Sequence, residues 1–143
     1  MDASEKIKIS VEATVNAPVG MVWKRWTTPE DIIIWHNASD DWHTLAAVND
    51  IREGGRFSFR MEAIDGSAGF DFCGTYSTVI PNKKLVYTLD DGRNVSIDFT
   101  SYGNKTHIFE VFEAETENTI DLQRGGWQAI LDKLKKHTEL NKE

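Results

Sequence analysis

His36, Asp40, Asp41 and His43 form the densest group of metal-capable side chains in this 143-residue chain. Imidazole nitrogens and carboxylate oxygens are zinc ligands. Their spacing matches no motif of fixed coordination geometry, and the segment from Asn37 to His43 has no regular pattern. The four are read as solvated loop residues, and no metal is expected. Cys73 is the only cysteine, which excludes an internal disulfide and a cysteine-based zinc site. No Ser, Cys or Lys stands beside an obvious base, so no activated nucleophile is visible. Gly54-Gly55 lacks the full pattern and the following helix of a phosphate loop. No cofactor is expected.

Glu110 sits in an alternating run from Thr106 to Ala114. If Ile108 and Phe112 point inward, period two turns Glu110 inward with them. A carboxylate in an apolar cavity has a raised pKa and could act as a general acid or base. The other phase, with Phe109 and Val111 inward, is equally apolar and leaves Glu110 in water. No catalytic residue is therefore assigned, and Glu110 stays a weak candidate. Tyr76 and Tyr87 could donate a hydrogen bond to a ligand, but tyrosines also close cores by sending their hydroxyls to water.

The elements that must position these groups are legible in order. Ile7, Ile9, Val11, Ala13 and Val15 alternate with polar residues, a strand with one wet face. Asn16-Ala17-Pro18 stops it and starts a helix, with Pro18 suited to the first helical position. Val19, Val22, Trp23 and Trp26 mark its apolar face. Thr28-Pro29-Glu30-Asp31 repeats the start signal, and a short second helix runs from Ile32 to about His36. A weak strand is predicted from His43 to Val48. Arg52-Glu53-Gly54-Gly55 makes a tight turn. Phe57, Phe59 and Met61 share one face of the next strand, and Asp65-Gly66 turns it. Phe70, Phe72, Gly74 and Tyr76 follow on one face, ended by Pro81-Asn82. Leu85, Tyr87 and Leu89 form another strand, closed by Asp91-Gly92. Val95, Ile97 and Phe99 mark the next, and the Gly103-Asn104 turn leads into the run of Glu110.

The stretch from Asn118 to Leu140 is the longest helical pattern. Leu122, Trp127, Ile130, Leu131 and Leu134 share one face; Arg124, Gln128, Asp132, Lys135 and Lys136 share the other. Asn118 or Thr119 can cap its start, and Asp121 suits its first turn. Gly125 and Gly126 are out of place inside a helix, each costing about 1 kcal/mol relative to Ala. They mark a weak first turn, backbone packed closely on a strand, or space left beside Trp127 for something else to bind.

Strand, two short helices, six successive hairpin-linked strands and a long helix make an α+β chain with a curved antiparallel sheet of six to seven strands. One domain over residues 1–143 is expected, long enough to bury roughly two thirds of its unfolded surface. Hydrophobic residues make up 40% and charged residues 27%, as in an ordinary globule, and the net charge is −7. That acidity, without a basic face, argues against nucleic acid and against an anionic membrane surface as partner. Met1 to Lys8 is polar and mixed in charge, unlike a signal peptide, and Ile32 to Trp35 is far too short to span a membrane. A cytoplasmic protein is the default expectation.

One long helix has to cover the apolar face of the whole sheet. Twisted sheets curl, so a sheet curled around that helix uses every element. The inward set is aromatic: Phe57, Phe59, Phe72, Tyr76, Tyr87, Phe99 and, from the helix, Trp127. These rings either fill the space as core or line a pocket for a small apolar or aromatic ligand. On the second reading they are joined by Met61 and Leu131, and by Trp35, which is expected near the mouth.

Pro18-x-x-x-Val22-Trp23-x-x-Trp26-Thr27-x-Pro29, Trp35, Arg52-x-Gly54-Gly55-x-Phe57, Gly74-x-Tyr76-x-x-x-x-Pro81, Leu85-x-Tyr87-Thr88 and Gly126-Trp127-x-x-x-Leu131 stand in a meaningful order. Each motif alone is weak. Together they resemble the START-like (SRPBCC) superfamily and, within it, the group similar to the C-terminal domain of the activator of heat-shock protein 90 ATPase. The resemblance implies a helix-grip fold, like that of the birch pollen allergen, with a cavity between sheet and last helix. Superfamily members bind lipids, sterols, polyketides or other apolar molecules, and some are cyclases, aromatases or hydrolases. It therefore implies a ligand-binding protein first and, as the alternative, an enzyme of the cyclase or hydrolase kind. Action on the chaperone itself is the third reading. It is disfavoured because the eukaryotic activator carries an additional N-terminal domain that this chain does not show.

Overall fold

The computed structural model describes residues 7–141. The elements run β1 (Lys8–Val15), α1 (Val19–Thr27), α2 (Pro29–Trp35), β2 (Trp42–Asn49), β3 (Arg56–Ala63), β4 (Gly69–Ile80), β5 (Lys84–Leu89), β6 (Asn94–Tyr102), β7 (Lys105–Glu113) and α3 (Ile120–Leu140). Seven strands form one antiparallel sheet in the order β1-β7-β6-β5-β4-β3-β2. Hairpins make every neighbour from β2 to β7, and β1 closes onto β7. The fold is the α+β arrangement expected, a curled sheet with one long C-terminal helix and two short helices after β1. The polar reading of residues 1–6 lies outside the described residues, and Ile7 stands exposed just before β1. No helix among the described residues is long and apolar enough to cross a membrane.

Period two decides what the sheet buries. Ile9, Val11 and Val15 on β1, Leu85 and Leu89 on β5, Val95 and Ile97 on β6 and Ile108 and Phe112 on β7 form the floor of the core. Two register shifts, at Thr44/Ala46 and at Tyr76/Thr78, break the ladders of β2 and β4. Such bulges bend the strand that carries them and deepen the local twist.

α3 begins where the sequence indicates. The Thr119 side chain accepts a hydrogen bond from the Leu122 backbone N–H at 3.1 Å and caps the first turn. Leu131 and Leu134 are buried beneath the helix. α3 lies closest to β1, and Gln128 ties the two by donating from Nε2 to the Glu12 carbonyl at 3.0 Å. At its C-terminal end, His137 Nε2 meets Asp31 Oδ1 at 2.9 Å, and Arg25 reaches the same carboxylate at 3.4 Å. That cluster fastens α1 and α2 to α3. With the helix held at β1, the middle of the sheet is left to side chains longer than leucine.

The first turn of α3 differs from the expectation. Leu122 is 63% exposed, whereas Gln123 is buried. Gln123 accepts from the Glu115 N–H at 2.9 Å and donates to the carbonyls of Glu115 and Asn118 at 3.1 and 2.9 Å. Those groups belong to the irregular connection from β7, which leaves its backbone without ladder partners, so an amide is the side chain the site needs.

Candidate functional site

A pocket of about 370 Å³ opens between α3, the ends of α1 and α2, and the sheet. α1 supplies Trp26; α2 and the residue after it supply Trp35 and His36. β3 supplies Met61, β4 supplies Phe70 and Phe72, β5 supplies Tyr87 and β7 supplies Glu110. From α3 come Gly126, Trp127, Ile130 and Leu131. Exposed Ala38, Phe70, Asn118 and Leu122 lie at the opening.

Trp127 sets the width of this space. Its indole stacks on Phe112 with ring centroids 3.9 Å apart and planes within 7°. Its edge approaches Phe72 at 6.1 Å. A Cβ added to Gly125 or Gly126 would meet nothing within 4 Å. The glycine pair is therefore not a close backbone approach; it leaves room, and Gly126 opens on the pocket.

Among the sequence-derived ligand residues, Trp35, Met61, Phe72, Tyr87, Trp127 and Leu131 line the pocket. Phe57, Phe59, Tyr76 and Phe99 do not. Phe57 packs among Phe59, Tyr76 and Tyr87 at 5.2, 5.3 and 4.8 Å, and Phe99 lies against Trp23 and Trp26 at 5.5 and 5.4 Å. Tyr76 directs its hydroxyl to Asn49 Oδ1 at 2.6 Å and is raised in pKa chiefly by burial. These four rings support the wall from behind. Trp35 is not at the mouth: it is 3% exposed, and its indole N–H donates to the Arg25 carbonyl at 2.9 Å. α2 folds back on α1, which wedges Trp35 between Trp26 and His36.

The polar groups separate in an unexpected way. His36 is not a solvated loop residue; it is 7% exposed, with Phe59 and Phe72 at 5.0 and 5.1 Å. Its Nδ1 has no hydrogen-bond partner among the described residues, and burial lowers its pKa to about 4, so the ring is neutral near pH 7. Asp40 and Asp41 are exposed and His43 is half-buried, so the four do not come together. Among the described residues no group of three or more His, Cys, Asp or Glu could hold a metal ion.

Glu110 takes the inward phase with Ile108 and Phe112, and the alternative phase, with Phe109 and Val111 inward, is not adopted. Its cross-strand neighbours are Val11 and Ile97, both buried and apolar. Burial among them raises its pKa to about 8, so the carboxyl carries its proton at neutral pH. Tyr87 is pushed well above its ordinary value by burial first and by the nearby Glu110 carboxyl second. The pocket thus combines an aromatic wall with a neutral acid, a neutral imidazole and a phenol. Arg93, paired with Asp91, and Glu115, which accepts from Asn118, bring the lining's charged groups.

The sequence profile of the family described as Activator of Hsp90 ATPase homolog 1-like protein matches residues 16–139. The chain belongs to this family. The AHSA1-like protein from Aeromonas hydrophila, solved in solution, is 44% identical, covers 94% of this chain and 93% of its own, and superposes with a TM-score of 0.87. A solution structure from Cytophaga hutchinsonii is 48% identical over 94% and 93% of the two chains, with a TM-score of 0.81. A crystal structure from Nitrosomonas europaea, 20% identical over 99% of both chains with a TM-score of 0.81, shares the fold. No curated protein matches.

Proposed function

We propose that this protein binds a small apolar or aromatic molecule in the pocket between the sheet and α3. The observation that carries the reading is an aromatic-walled space of about 370 Å³, which α3 leaves open by placing Gly126 where a larger side chain would intrude. Small-molecule sites are typically apolar clefts of roughly 300–1,000 Å³ with a few convergent polar groups. A flat ligand against Trp127 and Phe72 would lose apolar area from water at about 25 cal/mol per Å². Association costs offset much of that gain, so micromolar affinity, about −8 kcal/mol, is expected.

The test is a thermal-shift and tryptophan-emission screen of fatty acids, flavonoid-like polyphenols and sterols. A bound ligand raises the melting temperature by linkage and changes the emission of Trp127. If no compound shifts either signal, the rings are core and the reading is wrong.

A second reading, an enzyme of the cyclase or hydrolase kind, is favoured by one observation, the buried carboxyl of Glu110 in the pocket lining, whose pKa burial raises to about 8. Turnover that depends on pH and is abolished in Glu110→Gln would support it.

A further inference from the structure

Building on the ligand-binding reading, we propose that Glu110 selects, among flat apolar molecules, those that carry an uncharged carbonyl oxygen, to which its carboxyl group donates a hydrogen bond. Glu110 is 6% exposed and lines the pocket. No hydrogen bond from the described residues reaches it, and burial alone accounts for its raised pKa. Val11 and Ile97 flank it across the ladders, and Ile108 and Phe112 flank it along β7. Its oxygens are not among the fully enclosed unpaired side-chain atoms, so they face the open pocket, and a ligand that displaces water there must replace the hydrogen bonds that water makes. The aromatic wall stands next to it: Phe112, two residues along the same face, bears the Trp127 indole.

Tyr87 and His36 also bring hydrogen-bonding groups to the pocket, so the Glu110→Leu variant, which leaves both in place, separates the Glu110 contribution from theirs. Tyr87 faces it from β5, His36 from the end of α2, Arg93 from the turn before β6 and Glu115 from the connection to α3. The α3 residues that line the pocket include no ionisable side chain. Arg93 is engaged by Asp91 at 2.9 Å. A carboxylate ligand would set a second acid beside Glu110 in an apolar space, where an unpaired charge is strongly disfavoured. A hydrocarbon would leave the carboxyl unpaired. A ketone oxygen accepts the proton it offers.

The experiment compares three molecules on one ring skeleton: fluorene, 9-fluorenone and fluorene-9-carboxylate, titrated by tryptophan quenching at pH 6.5 and 9.5. Wild type should bind fluorenone roughly fivefold more tightly than fluorene at pH 6.5, the worth of one neutral hydrogen bond. The preference should vanish at pH 9.5, where Glu110 is ionised and has no proton to donate. Glu110→Gln, whose amide N–H still donates, should keep the preference at both pH values. Glu110→Leu should bind both neutral molecules alike. Equal affinities in wild type, a preference that survives in Glu110→Leu, or tightest binding of the carboxylate would each overturn the inference while leaving the pocket a binding site. Failure of all three to bind would overturn the inference, and the binding reading falls with it only if the wider screen is also empty.

Discussion

Trp127 lies flat on Phe112, with ring centroids 3.9 Å apart, and this pair joins the middle of α3 to β7. Trp127 is only half-buried, because one side of it faces the pocket. Truncation therefore removes a stack worth about 0.5–1.5 kcal/mol and part of the burial of an indole. Trp127→Ala should cost about 2–3 kcal/mol of stability, below the 3–5 typical of a fully enclosed aromatic. Urea denaturation should show a lower midpoint with an unchanged slope, together with loss of ligand binding.

Gly126→Leu separates binding from folding. The added Cβ meets nothing within 4 Å, and leucine favours the helix over glycine by about 1 kcal/mol. The variant should be at least as stable as wild type, yet its side chain occupies the space beside Trp127. Melting temperature and ligand titration on the same sample check this. A destabilised Gly126→Leu that still binds would contradict the assigned position of the pocket.

The architecture was legible because its signals repeat. Alternation in β1 and β3, the Asp-Gly turns and the long pattern of α3 all recur over many residues, so one misread position does no harm. The site depends on single residues, and there the sequence is ambiguous. β7 is apolar on both phases, so only its ladder with β1 and β6 decides that Glu110 faces inward. His36 did carry a signal: Ile32, Trp35 and His36 stand at i, i+3 and i+4, and His36, the residue that ends α2, continues its buried face. The irregular pattern from Asn37 to His43, with no metal motif in its spacing, points instead to a solvated loop. Leu122 fits the buried face by its apolar type, but the backbone of the connection before α3, which lacks ladder partners, selects Gln123 instead.

Stability should vary with pH through two buried groups that act in opposite directions. Glu110 has its folded pKa raised from 4.5 to about 8, so its contribution is complete below 4.5 and is lost as pH rises toward 8. His36 has its folded pKa lowered from 6.5 to about 4, so its contribution is complete above 6.5 and is lost as pH falls toward 4. Between 4.5 and 6.5 the two slopes cancel. From pH 6.5 to 8 only Glu110 acts, and stability should fall by about 2 kcal/mol. Denaturant titrations of wild type and Glu110→Gln across this range check it. The variant should lose the alkaline fall and show instead an acidic fall from pH 6.5 toward 4, which Glu110 masks above pH 4.5 in wild type.

Gly74→Ala tests how firmly the wall behind the pocket is built. Gly74 pairs with Phe57 on β3 and Leu89 on β5. A Cβ there would stand 2.5 Å from the Thr88 carbonyl oxygen and 3.1 Å from the Phe57 ring. The carbonyl is backbone in the β4–β5 ladder, so it cannot retreat without breaking hydrogen bonds. Phe57 is 2% exposed and enclosed by Phe59, Phe72, Tyr76 and Tyr87, so the ring has nowhere to turn. One methyl group should therefore cost about 2–4 kcal/mol, in the upper range for overpacking. Gly125→Ala, where the same methyl meets open space, should instead gain about 1 kcal/mol. Any displacement of Phe57 presses on Tyr87 and Phe72, both of which line the pocket. Gly74→Ala should thus also weaken ligand binding from outside the site. A wild-type midpoint and affinity in Gly74→Ala would show that the sheet yields at β4 and that the wall is not rigid.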